Sequence, residues 1–300
     1  MKKKTYLFTL MAMALTLGSC SDNENGIGGE TSKYITVSTS IGNMTRVATD
    51  EKGGQTFEEG DEISVYAWTG DATVAPETRE RVVNNAINKL TNGSWVSTPQ
   101  MLWKNNRDKH YFIGVYPISA ISDLSAGEYT FDVNKQTESD LLVAVNKDGL
   151  SYNVDEQQPV PLTFTHVMAK LVVNLTYKNQ WGGIPTVEKV VVGNAAKEAT
   201  INYLTKVVTP STTAKEDFSL PEITENTKYV SVIIPQEDVK QLTIVIGGKN
   251  FVYDNGTPFK LESGKITTVN LEVGRDEIKL GDVKITNWED GSTFSGEALN

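Results

Sequence analysis

Cysteine is nearly absent from this 300-residue chain, with Cys20 alone. No internal disulfide is available, so stability has to come from a packed core. Histidine is almost as scarce. His110 and His166 stand without a partner at metal-ligand spacing, which argues against a zinc site. His166 lies between Phe164 and Met168 on an alternating stretch, the pattern of a hydrogen-bonded core side chain rather than a catalytic one. The sequence has no Gly-x-Ser-x-Gly elbow, no P-loop and no dinucleotide fingerprint, and no cofactor is expected. Asp254-Asn255 and Asp276-Glu277 lack the ligand spacing of a calcium loop. With 38 acidic residues, a glycosidase pair is neither singled out nor excluded. Positive charge is in short supply. The net charge is −10, and −13 without the lysines at positions 2–4, which disfavours nucleic acid and anionic lipid as partners. After the first apolar run there is no second one long enough to span a bilayer.

That first run is informative. Lys2, Lys3 and Lys4 precede an apolar stretch from Thr5 to Leu17, and the small residues Gly18 and Ser19 stand directly before Cys20. A basic start, a short apolar core and small residues at a cut site read as a secretory signal over residues 1–19. Leu17-Gly18-Ser19-Cys20 resembles the lipobox of bacterial lipoproteins. The resemblance implies that Cys20 is acylated and that the chain is cut just before it. Each buried methylene of such an anchor contributes about 0.8 kcal/mol. Residues 20–30 read as a lipidated, flexible linker. Asp22 and Glu24 within it resemble the acidic signal that carries Bacteroidetes lipoproteins to the outer face of the outer membrane.

Beyond the linker the hydrophobic period is 2. Ile35, Val37, Thr39 and Ile41 alternate with polar residues, as do Ile63, Val65 and Ala67, and the runs Tyr229–Ile234 and Leu242–Ile246. Such alternation places one face on a core and the other in water. Gly70-Asp71, Asn92-Gly93 and Asn255-Gly256 punctuate the runs as turn signals. Residues 84–90 read as strand because a hairpin signal follows, and no long amphipathic helix is found. The fold class is therefore all-β, with sandwiches indicated by short, regularly spaced strands. Roughly 270 mature residues exceed one typical domain. The polar, proline-bearing stretch Gln157–Pro161 marks a boundary, giving domains over 31–160 and 161–300.

Five segments in order then carry a family resemblance. They are the run from Asn84 to Pro117 with Trp95, Trp103 and Tyr116-Pro117, then Ser139–Ala144, Leu162–Leu175 with Phe164-x-His166, Phe259–Val273, and Ile285–Gly291 with Trp288. Together they resemble the fimbrillin-like pilins of Bacteroidales. The resemblance implies two transthyretin-like antiparallel β-sandwich domains in tandem, and a lipoprotein precursor that becomes a non-enzymatic pilus subunit. Its location would be the cell surface, at the outer membrane and in a fimbrium.

A processing step belongs to the same reading. Arg46 follows the first strand in a segment rich in Gly, Thr and Asp, where proteases cut. In the family an arginine-specific protease cuts here, between Arg46 and Val47, and removes the lipidated first strand. The open groove left behind would accept a strand from another pilin subunit. The candidate donor is the tail 281–300, where Val283 and Ile285 alternate with polar residues and Trp288 follows. Burying three or four apolar side chains contributes roughly 5–10 kcal/mol. A rival reading is a surface glycan-binding lipoprotein of a nutrient-uptake system. In that case some of Trp68, Trp95, Trp103, Trp181 and Trp288 would stack on sugars rather than pack in cores and hairpins.

Overall fold

The computed structural model describes residues 33–42, 56–153, 158–254 and 256–288. All of them fall within one contact unit, Lys33–Asn300. Cys20, Arg46 and Val47 lie outside the described residues.

The period-2 segments form strands. In chain order these are β1 (Val37–Ile41), β2 (Glu62–Thr69), β3 (Arg81–Thr91), β4 (Ser94–Thr98), β5 (His110–Tyr116), β6 (Gly127–Thr130), β7 (Leu142–Leu150), β8 (Val160–His166) and β9 (Ala169–Tyr177). There follow β10 (Val187–Ala196), β11 (Glu198–Asn202), β12 (Val207–Pro210), β13 (Lys215–Ser219), β14 (Glu222–Thr224) and β15 (Lys228–Ile233). The last four are β16 (Gln241–Ile246), β17 (Lys249–Asp254), β18 (Lys265–Val273) and β19 (Ile278–Asn287). Among the described residues the α-helical content is one turn, α1 (Gln136–Ser139). The Asn92-Gly93 signal does join β3 to β4, with both residues at positive φ (52° and 72°), as a tight hairpin requires.

Seven strands form one sheet in the order β1-β8-β7-β5-β2-β3-β4. It curls into a half-barrel, and its two edges meet where Trp95 of β4 reaches Thr39 of β1. Ile35, Val37, Ile63, Val65, Phe112, Val160, Leu162 and Phe164 fill the enclosed side. The other face of the central strands is not wet. Ser64, Tyr66 and Trp68 of β2 are as buried as their alternates, and Tyr66 and Trp68 join a second, larger core with Ile113, Val115, Ile201 and Tyr203. The expectation of one wet face is thereby corrected for residues 63–67, and likewise for 231–234 and 244–246, which are buried in succession, because a central strand covered on both sides buries both sets of side chains.

The second core also binds a four-stranded sheet (β13-β10-β16-β17), a three-stranded sheet (β12-β11-β6) and a five-stranded sheet (β14-β15-β9-β18-β19). Sheet membership crosses position 160/161. β8 begins there and belongs to the first sheet, while β6 pairs with β11. Two pairings are parallel, β1 with β8 and β9 with β18, against an expected antiparallel pattern. Each joins strands far apart in sequence, as a parallel pair needs a long crossover.

Candidate functional site: the first strand and the last

β1 and the residues just before it are held by two segments. Along β8 it runs in parallel register from Val37↔Val160 to Ile41↔Phe164, with Val160 N–H donating to Thr36 O (2.8 Å) and Gly42 N–H to Phe164 O (2.8 Å). Just before β1, Ile35 N–H donates to Met101 O (3.0 Å), and Trp103 N–H donates to Lys33 O (3.1 Å). The alternation read in the sequence sets the orientation. Ile35 and Val37 are 1% and 6% exposed, Ile41 packs against the same core, and Ser38 and Ser40 face out. Thr39 is the polar exception on the inward face, and its hydroxyl accepts a hydrogen bond from Trp95 Nε1 at 3.0 Å. Phe57 closes this end with edge-on contacts to Trp95, Tyr116 and Phe164 at 5.1–5.4 Å. Without β1, the sheet would present an unpaired β8 edge and apolar seats for Ile35, Val37 and Ile41.

β19 is the opposite case. It is an edge strand, paired antiparallel with β18 from Val273↔Ile278 to Lys265↔Asn287, with one irregularity at Asn270/Leu271. Most of it is exposed, and Val283 and Ile285 stand at 40% and 38% exposure. Ile278 and Leu280, at its start, pack partly against the larger core, and just past its end the chain turns inward again. Trp288 is 8% exposed and stacks on the ring of His166 at 4.0 Å and 7°. Its backbone N–H donates to Gly264 O (3.0 Å), and the Lys170 ammonium sits 5.2 Å from its ring. Asp140 Oδ1 binds His166 Nδ1 at 2.8 Å, so His166 is the hydrogen-bonded core histidine expected. Burial holds the Lys170 pKa below its ordinary value, with Asp140 opposing. A cavity of about 510 Å³ opens beside this cluster, and both Ile41 and Trp288 line it. The sequence pattern did not reveal that Ile41 and Trp288 line one cavity, since residues 41 and 288 share no local signal.

The remaining candidates are structural. His110 is buried, donates from Nδ1 to Asp108 O (3.1 Å) and accepts at Nε2 from Lys104 N–H (3.0 Å). Burial lowers its pKa, and the Asp108 contact partly offsets this. All five tryptophans pack. Trp68 and Trp288 are buried, and Trp95, Trp103 and Trp181 are half-buried in ring contacts. Among the described residues no group of three or more His, Cys, Asp or Glu is placed to hold a metal, and no helix is long and apolar enough to cross a membrane.

This architecture has relatives. The chain is 24% identical, over 97% of both sequences, to a Bacteroides uniformis protein provisionally named fimbrium subunit Fim1C. Its structure is similar to that of a provisionally assigned cell adhesion protein from Bacteroides uniformis. There the TM-score is 0.64 at 19% identity, covering 86% of this chain and 100% of the other. It is also similar to a fimbrial protein from Bacteroides vulgatus, with a TM-score of 0.53 at 12% identity over 84% and 99% of the two chains. At such identities the structural likeness concerns the fold. Residues 45–288 match the fimbrillin-like family as a whole, and the chain belongs to that family.

Proposed function

We propose that this protein is a structural subunit of a surface fimbrium that supports cell adhesion, and that it polymerises by strand exchange. The observation that carries the reading is the seat of β1. The described segment that precedes Arg46, residues 33–42, fills apolar seats and hydrogen-bonds to β8, Met101 and Trp103, so its removal would create an acceptor. At the other end, β19 exposes Val283 and Ile285 on an edge strand, as a donor waiting for a groove would. In this reading Cys20 carries the lipid that anchors the precursor to the outer membrane, and an arginine-specific surface protease cuts between Arg46 and Val47. Other pilin subunits then dock through 281–300. The tandem transthyretin-like halves, 31–160 and 161–300, serve as acceptor and donor, with β8 belonging to the acceptor sheet. A structural, non-enzymatic family agrees with this role. The packing of the tryptophans weighs against the glycan-binding alternative, which needs an exposed aromatic platform.

The test is the mass of the surface form together with polymer ladders in mild detergent. The wild-type form should lack residues 1–46 and build ladders, and Arg46→Ala should keep them and build none. A mutant that still loses the segment and assembles normally would overturn the processing step. Retained acyl label in Cys20→Ala would overturn the anchor.

A further inference from the structure

The first and last strands share a support. β8 pairs with β1 over Val160–Phe164, while its pairing with β7 covers only Phe164, Thr165 and His166. The stretch 160–163 thus has β1 as its ladder partner among the described residues. His166, at the end of the same strand, is one wall of the Trp288 seat. Two other contacts of that seat, Lys170 on β9 and the carbonyl of Gly264 just before β18, lie on the side of the five-stranded sheet that carries β19 itself. Trp288, directly after β19, therefore ties that strand's end to the curled sheet.

We infer that β8 couples β1 to β19, so that losing β1 loosens the His166 wall, unseats Trp288 and frees β19 from its C-terminal end. The physical reason is the short β7–β8 ladder. With β1 in place, β8 is clamped over its whole length. Without it, β8 keeps its core packing but only three ladder pairs with β7, and His166 lies at the end of that ladder. For its biological purpose the inference rests on the strand-exchange reading. A subunit would then release its donor when its own groove is emptied, and would keep it docked as an uncut precursor.

Coupling between two sites is reciprocal, and this makes it testable in the whole, uncut chain by hydrogen exchange with mass spectrometry. Ile35→Ala combined with Val37→Ala weakens β1. It should speed exchange about tenfold not only at residues 37–41 but also at 283–287. Trp288→Ala should do the converse, speeding exchange at 160–164 and 37–41, and Trp288→Phe should restore most of the protection. Residues 241–246 of β16 serve as the control and should not change. Acceleration confined to the mutated strand, or spread equally to β16, overturns the coupling. Ladders grown from the same preparations after arginine-specific cleavage separate the two ideas. Ladders without coupled exchange remove this inference alone. Coupled exchange without ladders upholds it and removes strand exchange.

Discussion

The indole nitrogen of Trp95 donates a 3.0 Å hydrogen bond to the hydroxyl of Thr39, joining the two opposite edges of the seven-stranded sheet. The bond lies on the inward face of β1, where an apolar residue would leave the indole N–H without this partner.

Thr39→Val and Trp95→Phe should each lower the unfolding free energy by about 1 kcal/mol. The double variant should lose little more than the larger single, because both remove the same contact. Urea unfolding measures all three. Losses that simply add would mean that the bond does not join the edges energetically.

Val283→Asp and Ile285→Asp separate a donor role from a role in the subunit's own core. At 40% and 38% exposure, either change should cost the free subunit only about 1 kcal/mol. Burying the same charge in an apolar channel costs several kcal/mol, so polymer ladders should disappear. Thermal unfolding and ladder assays on one preparation decide the matter. A sharply lowered melting temperature would place these residues in the subunit's own core instead.

Gly114 sits under the enclosed core of the curled sheet. A Cβ there would lie 2.6 Å from Phe164 Cζ and 3.1 Å from Leu162 Cδ1. Gly114→Ala should therefore destabilise the fold by about 1–3 kcal/mol through overpacking. It presses on β8, the strand that carries β1, so limited proteolysis near the N-terminal strand should also quicken. A variant as stable as the parent would show that the ring of Phe164 gives way freely.

Acid should weaken the fold through His110. Burial lowers its folded pKa, and its Nε2 must stay unprotonated to accept from Lys104 N–H. The unfolded state, with a pKa of about 6.5, then binds the proton more readily. The stabilising contribution is whole above that pH and drains away as pH falls through the lower folded value. Chemical unfolding followed from pH 7 to 5 should show this loss, and His110→Gln should have a flatter profile than the parent. Equal slopes would assign the acid sensitivity to other groups.

Much of the strand content was legible before any coordinates. Alternation at 35–41, 229–234 and 242–246 marks strands that the structure contains, and it sets which side chains of β1 point inward. Asn92-Gly93 announced its hairpin, and His166 its hydrogen-bonded burial. These are local matters. A period of 2 follows from the pleat, a tight turn from positive φ, and both are written in adjacent residues.

Partnership is not local. Alternation says which face a strand buries, not which strand lies beside it, and many pairings satisfy the same pattern. Only the tertiary structure set β1 parallel to β8, laid β6 against β11, covered both faces of β2 and seated Trp288 on His166. The physical reason is that each of these depends on surfaces brought together from distant parts of the chain. The two cores that bury them exist only once the sheets have closed around them.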